Sequence, residues 1–267
     1  MTKLLLKLRT PLVATLLRPI RSKQRVWHFS FHKNLTVYYK TVALALARST
    51  GRNYKNFNSL IEDFQRTSHA LDIASLNNHF IDLTNAPDNV RCSLFIRDPK
   101  DTIVSGYFYH KRGAEAWCKI PNPQPEDFRV VNSCIPPSMK AGESFQDCLN
   151  RLPLAEGLRA EFDFRRLHLQ SLHKWMEYPP EFIAKYEDII GNEDTTFRNL
   201  GRIYGLNDAE LAYFVRSAAK NSARKRNLSH IRNPQSGQWR NVFPEELISE
   251  FREEFEGLLQ ATGYSVS

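Results

Sequence analysis

The stretch Val26–Leu46, VWHFSFHKNLTVYYKTVALAL, constrains how the rest of the chain can be arranged. It begins with an apolar and aromatic run of strand length, turns at His32–Asn34, and continues as a helical pattern with Val42 and Leu46 among its apolar positions. A strand, a short turn and a helix present free backbone N–H groups to an anion. Lys33 in that turn adds a flexible positive charge suited to a phosphate or sulfate. The turn has no glycine and does not fit the usual nucleotide phosphate loop, so its meaning depends on the residues downstream.

Composition and charge limit the classes of protein that this chain can form. With 267 residues and 42% hydrophobic residues, it can bury the core of one domain. It has no apolar run near the ~20 residues that a membrane-spanning helix needs. The first 61 residues contain 12 Lys/Arg and no Asp or Glu, whereas the remainder carries 25 Lys/Arg against 29 Asp/Glu. Phosphate-bearing ligands, anionic lipid and nucleic acid are all compatible with such a basic front end.

The four cysteines, Cys92, Cys118, Cys134 and Cys148, form no CxxC pair and have no histidine spacing typical of zinc. Free thiols in a reducing compartment are the favoured interpretation, and one disulfide within the Cys118–Cys148 stretch is the alternative. We therefore expect a cytoplasmic protein that needs no metal.

Residues 1–25 alternate leucines with basic residues. Lys7 and Arg9 interrupt the uncharged apolar run that a secretory signal would need. One interpretation is an amphipathic helix that contacts an anionic membrane surface peripherally. The other is a helix that packs on the domain as a cap, with its charges in solvent. A mitochondrial-type presequence is formally compatible, although the segment is poor in serine.

The remaining pattern predicts alternating strands and helices. Cys92–Ile96 has the pattern of a buried strand, and Pro99 with Asp101 signals a helix start directly after it. The further predicted elements are a strand at Tyr54–Phe57, a helix over Leu154–Met176, a strand at Phe182–Ala184, and helices over Thr195–Tyr204, Asp208–Lys220 and Pro244–Thr262. This alternation predicts a single α/β domain over residues 26–267, with a mainly parallel central sheet flanked by helices.

Residues 113–153 interrupt this pattern. They contain six prolines, which favour a long irregular excursion over regular elements. Excursions of this length inside a compact domain are usually functional lids or binding loops.

Two basic residues follow predicted strands at corresponding places. Lys33 comes after the first strand, and Arg97 comes after the strand Cys92–Ile96. In an open parallel sheet, ligands bind outside the carboxyl ends of the strands. Two separated cationic sites at this edge therefore suggest a ligand with two anionic groups.

Four motifs make a more specific case. They are His32–Tyr38 (HKNLTVY), Phe95–Tyr107 (FIRDPKDTIVSGY), Lys185–Asp188 (KYED) and Arg232–Phe243 (RNPQSGQWRNVF). In this order they resemble the 5′-phosphosulfate loop, the 3′-phosphate motif, the Tyr-Glu-Asp element and the C-terminal motif of sulfotransferases that use 3′-phosphoadenosine 5′-phosphosulfate (PAPS). The motifs span about 80% of the chain.

This resemblance implies a role for each matching residue. Lys33 would hold the 5′-phosphosulfate and stabilise charge on the leaving phosphate, and the backbone of Asn34, Leu35, Thr36 and Val37 with the Thr36 hydroxyl would complete the cradle. Tyr38 stands where the family usually has an adenine-stacking tryptophan, and Tyr186 would reach the adenine. Arg97 and Ser105 would hold the 3′-phosphate, and Arg232 would close over it. Each tyrosine could equally be a core aromatic, and Arg232 could belong to a solvated basic loop.

The chain also departs from the family pattern. Leu35 replaces the loop glycine, Val37 replaces a hydroxyl residue, and Asn233-Pro234 replaces a Lys-Gly pair. Because glycine permits positive φ and close backbone approach, its absence predicts an altered loop or looser binding of the donor.

The resemblance implies a general base that takes the proton from an acceptor hydroxyl. His79 in Asn77-Asn78-His79 occupies about the place of the family's catalytic histidine, although it could also be a surface or capping residue. His69 and Glu62 are the next candidates. The acceptor would be a hydroxyl-bearing glycan, lipid or small molecule, chosen by the excursion over residues 113–153.

Two other classes of protein remain open. A nucleoside-triphosphate kinase with a degenerate phosphate loop would use Asp98 as a magnesium ligand, but Lys33 is followed by Asn34 and not by the Ser/Thr that would bind magnesium. A non-enzymatic module that binds RNA or membrane would explain the basic front end, but it would not explain Arg97–Ser105. We expect no nucleic-acid partner.

Overall fold

The computed structural model describes residues 24–222 and 235–265, and these form a five-stranded sheet with helices on both faces. The strands are β1 (Arg25–Ser30), β2 (Tyr54–Asn56), β3 (Ile73–Asn77), β4 (Val90–Ile96) and β5 (Phe182–Lys185), in the spatial order β2-β3-β1-β4-β5. Every pairing in this sheet is parallel. The predicted α/β class with a parallel central sheet is confirmed.

Helices connect the strands and continue after β5. They are α1 (Thr36–Thr50), α2 (Ile61–Thr67), α3 (Pro99–Lys111), α4 (Pro125–Arg129), α5 (Phe145–Arg151), α6 (Leu154–Phe164), α7 (Arg166–Glu177), α8 (Tyr186–Ile189), α9 (Glu193–Ile203), α10 (Asp208–Lys220) and α11 (Glu245–Thr262). Short 3-10 turns lie at Ser68–Ala70, Trp117–Lys119 and Gln238–Asn241. Within the described ranges, no helix is both long and apolar enough to cross a membrane.

The central strand β1 supplies both faces of the core because successive side chains of a strand point to opposite sides. Trp27 and Phe29 belong to one apolar cluster, which also contains Trp175 from α7. Val26 belongs to the other cluster, where it joins Val42 from α1. The sheet is therefore covered on both faces, as a parallel sheet requires.

The structure differs from the predicted elements in three places. Strand β3 (Ile73–Asn77) lies in a stretch where no element was predicted. The predicted helix Leu154–Met176 is two helices, because Arg165 leaves the helical conformation with φ −92° and ψ 3°. The excursion over residues 113–153 contains α4 and α5, and Ser144 caps α5 by accepting a hydrogen bond from the Asp147 N–H at 3.1 Å. The four cysteines are free thiols.

Candidate active site

The strand register brings the candidate site together at the carboxyl edge of the sheet. Ser30 at the end of β1 lies level with Asn77 of β3 and with Phe95 of β4. The residues that follow these three strands therefore converge, and they enclose a pocket of about 400 Å³. This volume falls within the range of roughly 300–1,000 Å³ that is typical of small-molecule sites.

Most of the side chains predicted for the site line this one pocket. They are Lys33, Leu35, Thr36, Val37, Tyr38, Arg97, Ser105 and Tyr186. The residues Asn34 and His79 are not part of its lining. Arg232 lies outside the described residues.

The turn between β1 and α1 forms the floor of the pocket. Lys33 has φ 78° and Leu35 has φ 64°, so two residues with side chains adopt the left-handed conformation. Successive residues that alternate in this way can direct their N–H groups into one concavity, which is a common anion-binding arrangement. The first N–H groups of α1 belong to residues that line the pocket, and the first turn of a helix leaves such groups without intrahelical partners.

Asn34 supports this turn from behind. Its N–H donates to the Phe31 carbonyl at 2.9 Å, and its buried side-chain oxygen accepts a hydrogen bond from the Thr102 hydroxyl at 3.1 Å. Neither of these groups of Asn34 faces the pocket. Of the residues predicted to form the cradle, Leu35, Thr36 and Val37 line the pocket and Asn34 does not.

Lys33 extends over the Tyr109 ring, with Nζ 3.6 Å from the ring centroid. Burial, followed by the positive charges of Arg165, Arg97 and Arg112, lowers the pKa of Lys33 to about 7. Burial and neighbouring positive charges both disfavour the ammonium form of Lys33. An anion that enters the pocket would stabilise this form, because opposite charges attract.

Arg97 follows β4 and is almost fully buried, with 3% of its surface exposed. Its guanidinium carbon lies 4.2 Å from the centroid of the Tyr186 ring. The Nε and Nη2 atoms have no hydrogen-bond partner among the described residues. Buried donors without partners are costly in a protein interior. They are the feature expected of an arginine that is completed by an anionic ligand.

Ser105 and Tyr38 approach the pocket from two helices. Ser105 lies on α3, two turns after Arg97, and its side chain is half-buried. The hydroxyl of Tyr38 donates to the Ala218 carbonyl at 3.0 Å, and its ring packs edge-on against Phe197. Tyr38 is therefore both a core residue and part of the pocket wall.

The structure adds pocket residues that the sequence did not indicate. His32, Tyr109, Glu115 and Trp117 line the pocket next to Lys33. The Tyr109 hydroxyl donates to Glu115 at 3.2 Å, His32 Nε2 lies 3.3 Å from the same carboxylate, and Trp117 donates to it as well. Although burial alone would raise the pKa of Glu115, these hydrogen bonds hold it below its usual range.

His32 lies at the start of the first motif but was given no role there, and no motif includes Tyr109, Glu115 or Trp117, of which the last two lie in the irregular excursion. The signal that could have found them is a carboxylate and an aromatic side chain shortly after the end of the 3′-phosphate motif helix.

His79 lies behind the pocket wall. Its Nε2 donates to the Ser59 carbonyl at 2.9 Å, and Ser59 itself lines the pocket with Asn77 and Asn78. Burial lowers the pKa of His79, so its imidazole is neutral at neutral pH. The alternative candidates Glu62 and His69 are exposed and do not line the pocket, and Glu62 pairs with Arg129.

The C-terminal motif docks on the start of α3. Asp101 accepts hydrogen bonds from the Gly237 N–H at 2.6 Å and from the Trp239 N–H at 3.1 Å. Asp98 accepts from the Trp239 indole at 3.0 Å and from the Lys100 N–H at 2.9 Å. Asp98 thus caps a helix and holds a tryptophan, and it does not line the pocket. This geometry does not favour the role of a magnesium ligand that the kinase interpretation gave it.

The fold and the site define an α/β protein with a cationic pocket for an anionic ligand at the carboxyl edge of its sheet. Residues 76–263 match the family described as "Sulfotransferase domain". Since this match covers more than half of the chain, the protein belongs to the sulfotransferase domain family. The recognition made from the motifs and the enzyme class that it implied are confirmed.

Two solved structures are similar to this chain, and the first of them supports the same fold. Mouse sulfotransferase SULT7A1, crystallised with PAP, matches with a TM-score of 0.52 and 14% sequence identity, over 95% of this chain and 93% of the mouse chain. Retinol dehydratase in complex with androsterone and the inactive cofactor PAP matches with a TM-score of 0.47 and 14% identity, over 91% of this chain and 81% of the other. No curated protein sequence matches the chain.

Proposed function

We propose that this enzyme transfers a sulfuryl group from PAPS to the hydroxyl of an acceptor by in-line displacement, releasing adenosine 3′,5′-bisphosphate. The observation that carries this proposal is the position of Lys33 and Arg97. Both basic side chains lie on one pocket at the ends of adjacent parallel strands, and Arg97 has buried donors without partners. A ligand with two separated anionic groups satisfies both residues.

The residues present fit such a donor. Arg97 and Ser105 would bind its 3′-phosphate, and arginine suits this role because its planar fork can donate two parallel hydrogen bonds. Lys33, the N–H groups of the turn and the Thr36 hydroxyl would bind the 5′-phosphosulfate. Tyr186 and Tyr38 would flank the adenine. Arg232 keeps the closing role that its motif implies.

Lys33 carries the proposed electrostatic part of the mechanism. Negative charge builds on the phosphate that leaves, and a fixed ammonium group stabilises that charge more in a buried site than in water. The pocket also holds the two reactants in line, which converts an encounter of two molecules into a step within one complex. PAPS supplies the sulfuryl group when it is bound.

His79 remains the proposed base that takes the acceptor's proton. Its Nε2 carries a hydrogen that it donates to Ser59, so the neutral ring keeps Nδ1 as its basic nitrogen. For Nε2 to accept a proton from a substrate, the ring would first have to release the Ser59 carbonyl. A His79→Ala variant should turn over more slowly with nearly unchanged affinity for the bisphosphate, and an unchanged rate would transfer the role to another residue.

The acceptor would enter from the side that the excursion over residues 113–153 forms. This excursion contributes Glu115, Trp117, Val130 and Val131 to the pocket wall, which supports its proposed role in choosing the acceptor. A hydroxyl-bearing glycan, lipid or small molecule is the proposed partner.

Peripheral contact of residues 1–25 with an anionic membrane stays a prediction from the sequence, because almost all of the segment lies outside the described residues. If it is correct, deletion of residues 1–20 should abolish co-sedimentation with vesicles that contain phosphatidylserine. Unchanged sedimentation would leave the alternative, a cap on the domain.

The test of the main proposal is calorimetric binding of adenosine 3′,5′-bisphosphate, compared with magnesium-ATP. We expect the bisphosphate to bind and Arg97→Ala to weaken it by at least 100-fold, since this change removes a charged bidentate contact. Arg91→Ala, on the same strand but half-exposed and paired with Glu181, is the matched control and should bind normally. Preference for magnesium-ATP would contradict the proposal and favour a kinase.

A further inference from the structure

Arg165, at the junction of α6 and α7, lies beneath the turn that carries Lys33. Only 1% of its surface is exposed. Its Nε donates to Glu161 at 2.6 Å, and its Nη1 donates to the carbonyl oxygen of His32 at 3.2 Å. Its Nη2 is buried and has no hydrogen-bond partner among the described residues. No motif of the sequence included this residue.

The carboxylate that balances Arg165 is shared with a second group. Glu161, which is fully buried, also contacts His110 Nδ1 at 2.7 Å. Helix α3 makes room for this pair at Gly106, where an added Cβ would lie 2.0 Å from Glu161 Oε1 and 2.3 Å from Arg165 Nη2. The guanidinium is therefore held by Glu161 through Nε and by the His32 carbonyl through Nη1, directly under the turn.

The contact with His32 fixes the direction of the next peptide group. In a trans peptide, the carbonyl of one residue and the N–H of the following residue point in opposite directions. Because Arg165 holds the His32 carbonyl on the interior side, the Lys33 N–H points to the opposite side, and it has no partner among the described residues. The His32 N–H is held in turn by the Asn78 side chain at 2.7 Å.

We infer that Arg165 is a positioning residue for donor binding, which orients the turn at Lys33 through the His32 carbonyl and adds a buried positive charge beneath the bound anion. This inference rests on the proposed function, because the anion in question is the 5′-phosphate end of the donor. It assigns to α6 and α7, which carry none of the family motifs, a direct effect on the affinity of the pocket.

The experiment measures calorimetric affinity for adenosine 3′,5′-bisphosphate at pH 7 and pH 9 in four proteins: wild type, Arg165→Met, Arg165→Lys and Arg166→Met. The neighbour Arg166 is the matched control, because it is a surface residue that pairs with Asp163, Glu250 and Glu254. Thermal unfolding of each variant shows whether it is folded. The pH ratio is the affinity at pH 7 divided by the affinity at pH 9. A purely structural role of Arg165 would not change this ratio.

We expect Arg166→Met to bind within about twofold of wild type. Arg165→Met should bind at least tenfold more weakly at pH 7, and its affinity should fall less between pH 7 and pH 9, because Lys33 loses a neighbouring positive charge. Arg165→Lys should keep the wild-type pH ratio, since the charge remains, but it should bind more weakly because a lysine cannot contact Glu161 and the His32 carbonyl together with a planar fork.

A folded Arg165→Met protein with wild-type affinity and pH ratio would overturn the inference. If that variant does not fold, Arg165→Lys decides: wild-type affinity overturns the inference, and so does weaker binding with lowered thermal stability, whereas weaker binding with the thermal unfolding and pH ratio of wild type supports it. Failure of the wild-type protein to bind the bisphosphate would be a failure of the proposed function itself, and the inference would fall with it.

Discussion

The turn after β1 contains two residues, Lys33 and Leu35, in a backbone conformation that glycine adopts more easily. Their φ angles are 78° and 64°. For a residue with a side chain, the left-handed region costs roughly 1–2 kcal/mol. Local strain of this kind persists only where the surrounding structure determines the conformation, and it is concentrated at functional sites. Here the buried Asn34 and its contact with Thr102 fix the turn.

This strain predicts that a glycine variant at position 35 is more stable than an alanine variant, which is the reverse of the usual order. We expect Leu35→Gly to be more stable than Leu35→Ala by about 1 kcal/mol, because the two variants differ only in the Cβ atom and only glycine relieves the positive φ. The measurement is urea unfolding of both variants. The matched pair at Val37, in the first turn of α1 and 57% exposed, should show the usual order, with alanine more stable by up to about 1 kcal/mol. The usual order at both positions would contradict the assigned backbone conformation.

The charge state of Lys33 predicts how donor binding depends on pH. Since the pKa of Lys33 is lowered to about 7 in the free protein, its ammonium group is increasingly neutral above that pH. An anion favours the charged form, so binding above pH 7 requires uptake of a proton. Affinity should therefore fall from pH 7 to pH 9, where the ligand's phosphates are already ionised because their second pKa is about 6.

Calorimetry of adenosine 3′,5′-bisphosphate across this range checks the prediction, and Lys33→Ala is its control. The variant should bind more weakly than wild type at pH 7 and should show little change up to pH 9. A wild-type affinity that is flat over this range would mean that Lys33 stays charged in the free protein.

At the scale of elements, α3 connects most of the site. It begins after Arg97, presents Ser105 to the pocket, receives the C-terminal segment through Asp101, and leaves space at Gly106 for a buried ion pair. Glycine in a helix interior is normally destabilising by about 0.5–1 kcal/mol relative to alanine. Its presence here is explained by the close approach of α6 and α7.

Two of the glycines within helices, Gly106 and Gly257, predict opposite effects of the same substitution. Gly106→Ala should destabilise the protein by about 1–3 kcal/mol, because the added methyl group would overlap Glu161 and Arg165. Gly257→Ala on α11 should be neutral or stabilising by up to about 1 kcal/mol, since its Cβ would meet only the tip of the His173 ring at 3.3 Å. Thermal unfolding distinguishes the two, and a stabilised Gly106→Ala protein would show that α6 and α7 do not pack this closely.

The elements that the sequence predicted correctly are those with local signals. The helix start at Pro99 was predicted from a proline and an acidic residue in its first turn, and the helix Asp208–Lys220 has the bounds that were predicted. Strand β3 was missed because its five residues, IASLN, include small and polar side chains. Its pairing with β1 and β2, which is a tertiary feature, makes it a strand.

At the scale of the whole molecule, the two basic residues that line the pocket could be predicted from the sequence, but the residues that hold them in place could not. Lys33 and Arg97 could be predicted because both follow strands of a parallel sheet. Arg165 could not: with Glu161 it forms an i,i+4 pair, which on a predicted helix indicates an exposed ion pair. Only the packing of α6 and α7 against α3 shows that this pair is buried. The position of Glu115 could not be predicted either, since an irregular segment has no periodicity that indicates where a side chain points.

The contact between α3 and the C-terminal segment holds Gly237 and Trp239 against the start of a helix that presents Ser105 to the pocket. Asp101 is 1% exposed and accepts two backbone hydrogen bonds, from Gly237 and Trp239. Bonds to a charged acceptor contribute roughly 1.5–3 kcal/mol each, and their loss leaves buried donors without partners. Lys100 adds to the same contact, with Nζ 3.5 Å from the centroid of the Trp239 ring.

We therefore expect Asp101→Ala to lower the free energy of unfolding by about 3 kcal/mol and to speed hydrogen exchange over residues 237–243. The control Asp194→Ala removes an exposed carboxylate that pairs with Arg198 on α9, so it should cost less than about 1 kcal/mol and leave that exchange unchanged. Binding of adenosine 3′,5′-bisphosphate should weaken in Asp101→Ala alone, because the residues that it releases belong to the motif Arg232–Phe243, which includes Arg232. Faster exchange with unchanged affinity would show that nucleotide binding does not depend on the docking of this segment, and the C-terminal motif would then have a structural role only.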